Sequence, residues 1–124
     1  MAFAKFYWEE SSRALHAGDV DVLKGLYEPG CDVCQTYVER VEGHIDKGLH
    51  SDVVATTITG STATDQTDGK SDSAVTLKAK NAPYRLVDDS GNSIGRTKGM
   101  DYKVILYLDW KGGGWTVVDS FMIL

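Results

Sequence analysis

Cys31 and Cys34 form a C-x-x-C pair at the head of a helical stripe, and thiols so placed have two chemistries open to them. The first is a local disulfide, since residues this close on a first helical turn are within bridging reach. The second is thiol–disulfide exchange, because a helix N-terminus lowers a thiol's pKa. Exchange motifs of this kind follow a strand, whereas this pair follows a loop among helices. Asp32 and Val33 stand where a Gly-Pro or Pro-His spacer is usual, and the Asp32 carboxylate disfavours a thiolate. A structural disulfide is therefore the favoured reading, although so small a ring contributes little through chain entropy. Zinc would need two further ligands from the distant His16, His44 or His50, so no metal is expected.

Asp119 is the carboxylate with most chemical interest. Alternation along the last strand groups it with Val117, Phe121 and Ile123 on what would be the inner face. A buried carboxylate there must be paired or carry a raised pKa, the condition of a general base. The opposite register turns Thr116, Val118, Ser120 and Met122 inward and leaves Asp119 in water, and that solvated or rim position is preferred. His16 is a conceivable partner, though a histidine at a helix end more commonly answers the helix dipole. Tyr7, Tyr27, Tyr37, Tyr84 and Tyr102, with Trp8 and Trp110, combine apolar bodies with polar tips, which suits a small-molecule pocket as well as a core. Glycines 112–114 form a turn and no phosphate cradle, because no helix follows them. Neither a Ser-His-Asp order nor an HExxH motif is present, and no cofactor is expected.

Three helices and a run of strands must position these residues. Residues 3–17 form a first helix, with Phe3, Phe6, Tyr7, Ala14 and Leu15 inward and Gly18 closing it. Asp19 caps a short second helix whose buried side is Val22, Leu23, Leu26 and Tyr27. After Pro29-Gly30 a third helix presents Cys34, Tyr37, Val38, Val41 and Ile45 at i, i+3, i+4, i+7 and i+11. Asp32 is its expected N-cap, with Gln35 completing a capping box, and it ends near Lys47-Gly48. The period then changes to two. Strands are expected over 54–64, with a bulge at Gly60, and over 73–80, 84–87, 102–110 and 115–123. Residues 65–72 read as a polar hairpin loop, and 91–101 as a mobile glycine-bearing loop. Residues 1–124 therefore form one α+β domain, its helices gathered on one face of an antiparallel sheet of four or five strands. Ile105 and Tyr107, opposite Leu106, leave the outer sheet face as a surface for a homodimer.

Composition narrows the function. The chain has 124 residues, 42% of them apolar and 25% charged, with a net charge of −5. That balance is ordinary for a globular domain and gives no electrostatic footprint for nucleic acid. No apolar run approaches the roughly eighteen residues of a membrane span. Met1-Ala2 runs straight into helical pattern, so the sequence begins without an export signal.

Several features resemble an uncharacterised actinobacterial family of exported proteins, often lipoproteins, with a nuclear transport factor 2-like (cystatin-like) fold. They are Tyr7-Trp8 with Ala14-Leu15, Gly18-Asp19 before Leu23, Cys31-x-x-Cys34 before Tyr37, Arg85-Leu86-Val87-Asp88 with Gly91, and Trp110 and Trp115 around the glycine turn. The resemblance implies a curved sheet forming a cone around the first helix, an extracellular or cell-envelope location, and a lipid-anchored precursor whose lipidated cysteine this chain lacks. It implies no assigned activity. The first expectation is thus an exported, non-enzymatic domain that binds a small apolar ligand or a protein partner. The alternative is a nuclear transport factor 2-like enzyme, of isomerase or cyclase type, that uses Asp119 as base with Tyr7, Tyr37 or His16 assisting.

Overall fold

A computed structural model describes residues 2–64, 67 and 69–124. Among them are three helices, α1 (Ala2–Ala17), α2 (Asp21–Lys24) and α3 (Asp32–Asp46). Seven strands follow: β1 (His50–Ser51), β2 (Thr56–Thr64), β3 (Ser73–Asn81), β4 (Tyr84–Val87), β5 (Ser93–Thr97), β6 (Met100–Lys111) and β7 (Gly114–Ile123). All strand pairings within the sheets are antiparallel, and the helices precede the strands, so the α+β class holds. Instead of one sheet there are two, ordered β1-β4-β5 and β2-β3-β6-β7. Of the expected polar loop at 65–72, residues 65, 66 and 68 lie outside the described residues.

Period-two alternation builds the larger sheet. Val75, Leu77 and Ala79 of β3 stand opposite Leu106, Val104 and Tyr102 of β6, and all six are buried. Cross-strand partners share a face, so this set forms the floor of the core. The outer face carries the alternate set, with Lys78 beside Lys103, Thr76 beside Ile105 and Ala74 beside Tyr107. The irregularity in β2 falls between Ile58 and Gly60, leaving Thr59 out of the ladder at the bulge the glycine foretold.

A second bulge decides the inner face of β7. Tyr107 pairs with Asp119 but Leu108 pairs with Val117, so Val118 is an extra residue. Side-chain direction therefore reverses across Val118. Val117 faces the core with Leu108, then Ser120 and Met122 face inward with Leu106 and Val104, while Asp119, Phe121 and Ile123 join the outer face. Neither unbroken alternation predicted for this strand describes it, because a single inserted residue exchanges the faces.

α1 lies over the floor with Ala4, Tyr7, Glu10, Ser11 and Ala14 buried. Small residues at three of these positions admit a close approach of helix to sheet. Phe6 is 41% exposed and not inward as expected, since it sits about 100° around the helix from Tyr7. Val22 is likewise exposed and Leu23 alone fills the buried side of α2. The helix starts also differ from expectation. Cys31, not Asp32, is the N-cap of α3, and Asp32 becomes an acidic first-turn residue that favours the helix dipole. Gln35 closes no capping box; its side chain accepts the Tyr27 hydroxyl and donates to Glu39. Asp19 accepts the Asp21 N–H in a local turn, and Val20 occupies the N-cap of α2.

Two edge elements escape the sequence pattern. β5 falls where a loop is expected, and every one of its residues is exposed, so no buried alternation marks it. β1 is only two residues long. Their sheet is held at its turns by carboxylates. Asp52 accepts the Arg85 backbone N–H at 2.9 Å and the guanidinium Nε–H at 3.2 Å. Asp88 accepts the N–H groups of Ser90 and Asn92. These bonds, led by the Arg85 backbone N–H for Asp52 and the Asn92 N–H for Asp88, hold both carboxyls below the usual carboxylate range. A folded pKa below the unfolded one gives stability that is full above about pH 4 and lost as pH falls through the folded value. Urea midpoints of the wild type should therefore drop more between about pH 5 and about pH 2 than those of D52N/D88N, and parallel curves would refute this role.

Candidate functional site

Between α1, α3 and the floor of the larger sheet lies a cavity of about 510 Å³. α1 contributes one face, Tyr7, Trp8, Ser11, Ser12 and Leu15. α3 contributes another, in which Val33, Tyr37, Arg40, Val41 and His44 recur at i, i+4, i+7, i+8 and i+11. The floor is Thr56, Asn81, Tyr102, Val104, Ser120 and Met122, and the smaller sheet closes one end with Ser51, Tyr84 and Thr97. The lining is mainly apolar, with polar tips at a few points, as in small-molecule sites generally.

Those polar tips are largely bonded to one another and to the backbone, and they tie the walls together. Trp8 Nε1 donates to the Tyr102 hydroxyl oxygen at 2.7 Å, and Tyr102 donates onward to Asn81 Oδ1 at 2.9 Å. The Thr56 hydroxyl donates to the same Asn81 oxygen at 2.9 Å. The Tyr37 hydroxyl donates to the Ser11 carbonyl, joining α3 to α1. Ser12 Oγ accepts the backbone N–H groups of Ala55 and Thr56. Gly99 makes room beside this cluster, since a Cβ there would come within 3.0 Å of the Asn81 carbonyl oxygen. Burial pushes the phenols of Tyr7 and Tyr37 well above the ordinary tyrosine range, and raises that of Tyr102 as well. All three are consequently neutral hydroxyl groups at physiological pH.

Of the residues singled out in the sequence, Tyr7, Tyr37, Tyr84 and Tyr102 are brought together on the cavity wall. Tyr27 is not among them; it sits outside, bonded to Gln35, with burial raising its phenol. Asp119 is on the outer face beside Tyr107, where its Oδ1 accepts the Ser120 N–H at 2.9 Å. His16 donates from Nδ1 to the Ser51 carbonyl at 2.8 Å and meets His50 edge-on at 6.4 Å, behind the cavity wall. Neither is a cavity residue, so the general-base geometry of the alternative reading is not assembled from them. Trp110 is exposed and stacks edge-on against Trp115.

Cys31 and Cys34 are joined in a disulfide with Cα atoms 5.3 Å apart, and both are buried, at 1% and 2% exposure. The bridge pins the start of α3 where the preceding segment meets β7, through Glu28 N–H to the Val117 carbonyl and Val117 N–H to the Leu26 carbonyl. Sulfur atoms enclosed in this way are placed to hold a helix, not to meet a protein substrate.

Asn81, Ser12, Arg40 and His44 belong to the site but carry no motif. Arg40 alone has a readable signal, as a cation at i+7 within the α3 stripe that begins at Val33.

These features define an α+β domain with a helix-roofed internal cavity. The chain belongs to a family of unknown function, DUF6318, whose family model matches residues 1–120. No curated protein matches its sequence. Among solved structures, it is similar to the intermembrane space region of the chloroplast protein ARC6, with a TM-score of 0.63 and 16% identity over 94% of this chain and 88% of that one. Aln2 from a Streptomyces species is similar with a TM-score of 0.57 and 9% identity, covering 98% and 88% of the two chains. A putative calcium/calmodulin dependent protein kinase II association domain from Xanthomonas campestris gives a TM-score of 0.50 and 13% identity, covering 93% and 80%. At such identities the likeness is one of fold.

Tyr102→Phe would remove one hydroxyl and leave the Trp8 N–H without its acceptor and Asn81 with one donor fewer. The expected loss of stability is about 1–3 kcal/mol, the cost of unsatisfied buried polar groups. Chemical denaturation measures it, and an unchanged midpoint would show that the chain of bonds holds nothing.

Proposed function

We propose that this domain binds a small, mainly apolar molecule in the cavity and performs no catalysis on it, and that its sheet and helices form a nuclear transport factor 2-like cone. The observation that carries the reading is the cavity itself. Its volume falls within the range of about 300–1,000 Å³ found for small-molecule sites. Its wall is fixed by hydrogen bonds among its own side chains, a preorganised geometry that spares a ligand the cost of ordering it. With Asp119 and His16 outside, its polar groups are neutral phenols, hydroxyls, an amide and an indole, together with Arg40 and His44 of α3. Such a set orients a ligand; among the described residues it offers no positioned carboxylate base.

The location we infer is the cell envelope or exterior. The buried Cys31–Cys34 disulfide supports an oxidising compartment. No helix among the described residues is long and apolar enough to cross a membrane. The actinobacterial, exported character rests on the resemblance carried by Tyr7-Trp8, Cys31-x-x-Cys34 and Arg85-Leu86-Val87-Asp88.

A neutral fluorescent probe, N-phenyl-1-naphthylamine, tests the reading. The wild-type protein should bind it saturably with one site per chain. Ser120→Phe, which fills the inward side of β7, should weaken binding at least tenfold while leaving the circular dichroism spectrum intact. Absence of saturable binding, or equal binding by the folded Ser120→Phe protein, would overturn it.

A further inference from the structure

Charge is distributed over the cavity lining in a way that the whole chain is not. The protein carries thirteen basic and eighteen acidic residues, yet among the described residues no aspartate or glutamate lines the cavity. The one permanently charged side chain of that lining is Arg40, and His44, one helical turn further on, is its one imidazole. Arg40 is exposed, as are Val33 and Thr36 before it on α3 and Met122 and Thr97 elsewhere in the lining, so the exposed part of the lining is the mouth. Tyr7, Cys34, Val41 and Val104 lie at the buried end.

Among the described residues, Arg40 is also uncommitted to a carboxylate. The ion pairs formed among the described residues engage Arg13, Lys24, Arg85 and Lys111. At i±3 and i±4 from Arg40 stand Thr36, Tyr37, Gly43 and His44, none of them acidic. Its guanidinium lies over the Tyr37 ring at 5.4 Å from the centroid. Tyr37 is itself fixed by its bond to the Ser11 carbonyl. The ring holds the face of the guanidinium by a cation–π contact and leaves the N–H edges for a second partner.

We propose that the cavity's ligand is a monomeric amphipathic carboxylate, its apolar body against Tyr7, Val104 and Met122 and its carboxylate on the Arg40 fork at the mouth, with His44 beside it. This deepens the binding function proposed above and rests on it. A planar fork matches a carboxylate with two parallel hydrogen bonds. A single guanidinium balances one negative charge, whereas a phosphate monoester dianion would leave charge uncompensated. An acidic protein repels anions at long range, so a lining without carboxylates and with one cation at its opening selects at short range for what the rest of the surface excludes.

Isothermal titration with decanoate and 1-decanol, both kept monomeric at about pH 8 and moderate salt, tests the assignment because the two share a tail and differ in the head. The wild type should bind decanoate at least tenfold more tightly than decanol. Arg40→Gln, on an exposed helical position, should abolish that preference by weakening decanoate at least tenfold more than decanol, and Arg40→Lys should retain part of it. If decanol binds the wild type as tightly as decanoate, or Arg40→Gln weakens both alike, the carboxylate assignment falls and the apolar cavity reading stands. If neither probe binds, the cavity reading falls and this inference falls with it.

Discussion

The Tyr102 hydroxyl is the point on which the architecture depends. It accepts from Trp8 on α1 and donates to Asn81 on β3, so one oxygen links the roof of the cavity to its floor. A helix resting on an apolar sheet ordinarily closes the gap by interdigitating side chains. Here α1 packs Ala4, Tyr7 and Ala14 into the core and is also tied by polar contacts, through Trp8, Ser11, Ser12 and His16. Beside these contacts lies a volume that the protein's own side chains leave unfilled, lined in part by the same bonded groups.

The β7 bulge has an equally specific consequence. Because Val118 is inserted, the strand places Val117 in the core and then turns Ser120 and Met122 toward the cavity. Without the insertion, Asp119, Phe121 and Ile123 would face inward, and a carboxylate and a bulky ring would occupy the space. One extra residue thus separates an apolar receptacle from a closed, acid-bearing interior. The Cys31–Cys34 bridge acts at the adjoining edge, fixing α3 and hence Tyr37 and Arg40 relative to β7.

Much of the fold is legible because burial leaves a period in the residues. α3 is readable from Cys34, Val38 and Val41, and the floor from Val75, Leu77, Val104 and Leu106, since each set repeats with its element's pitch. β5 leaves no such trace, being exposed along its whole length, and the smaller sheet takes its third strand from it. Asp119 can be placed by alternation only if the strand runs unbroken, and no glycine or proline marks Val118 as a bulge. The tyrosines of the wall are recognisable by type, though Tyr27, which has the same type, belongs elsewhere. Asn81 and Ser12 are illegible for a different reason: their roles come from partners far along the chain, and a polar residue near a strand or helix end reads first as surface.

Entry of a small molecule into the space beneath α1 and α3 can be observed directly. Met100 and Met122 both line it, and the chain has three methionines in all. Methyl-labelled methionine therefore gives a sparse and direct spectrum, read during titration with 1-decanol. Binding in the cavity should give saturable, concerted shifts of the Met100 and Met122 methyl signals at one ligand per chain. Signals that stay fixed through the titration, or that drift without saturating, would contradict it.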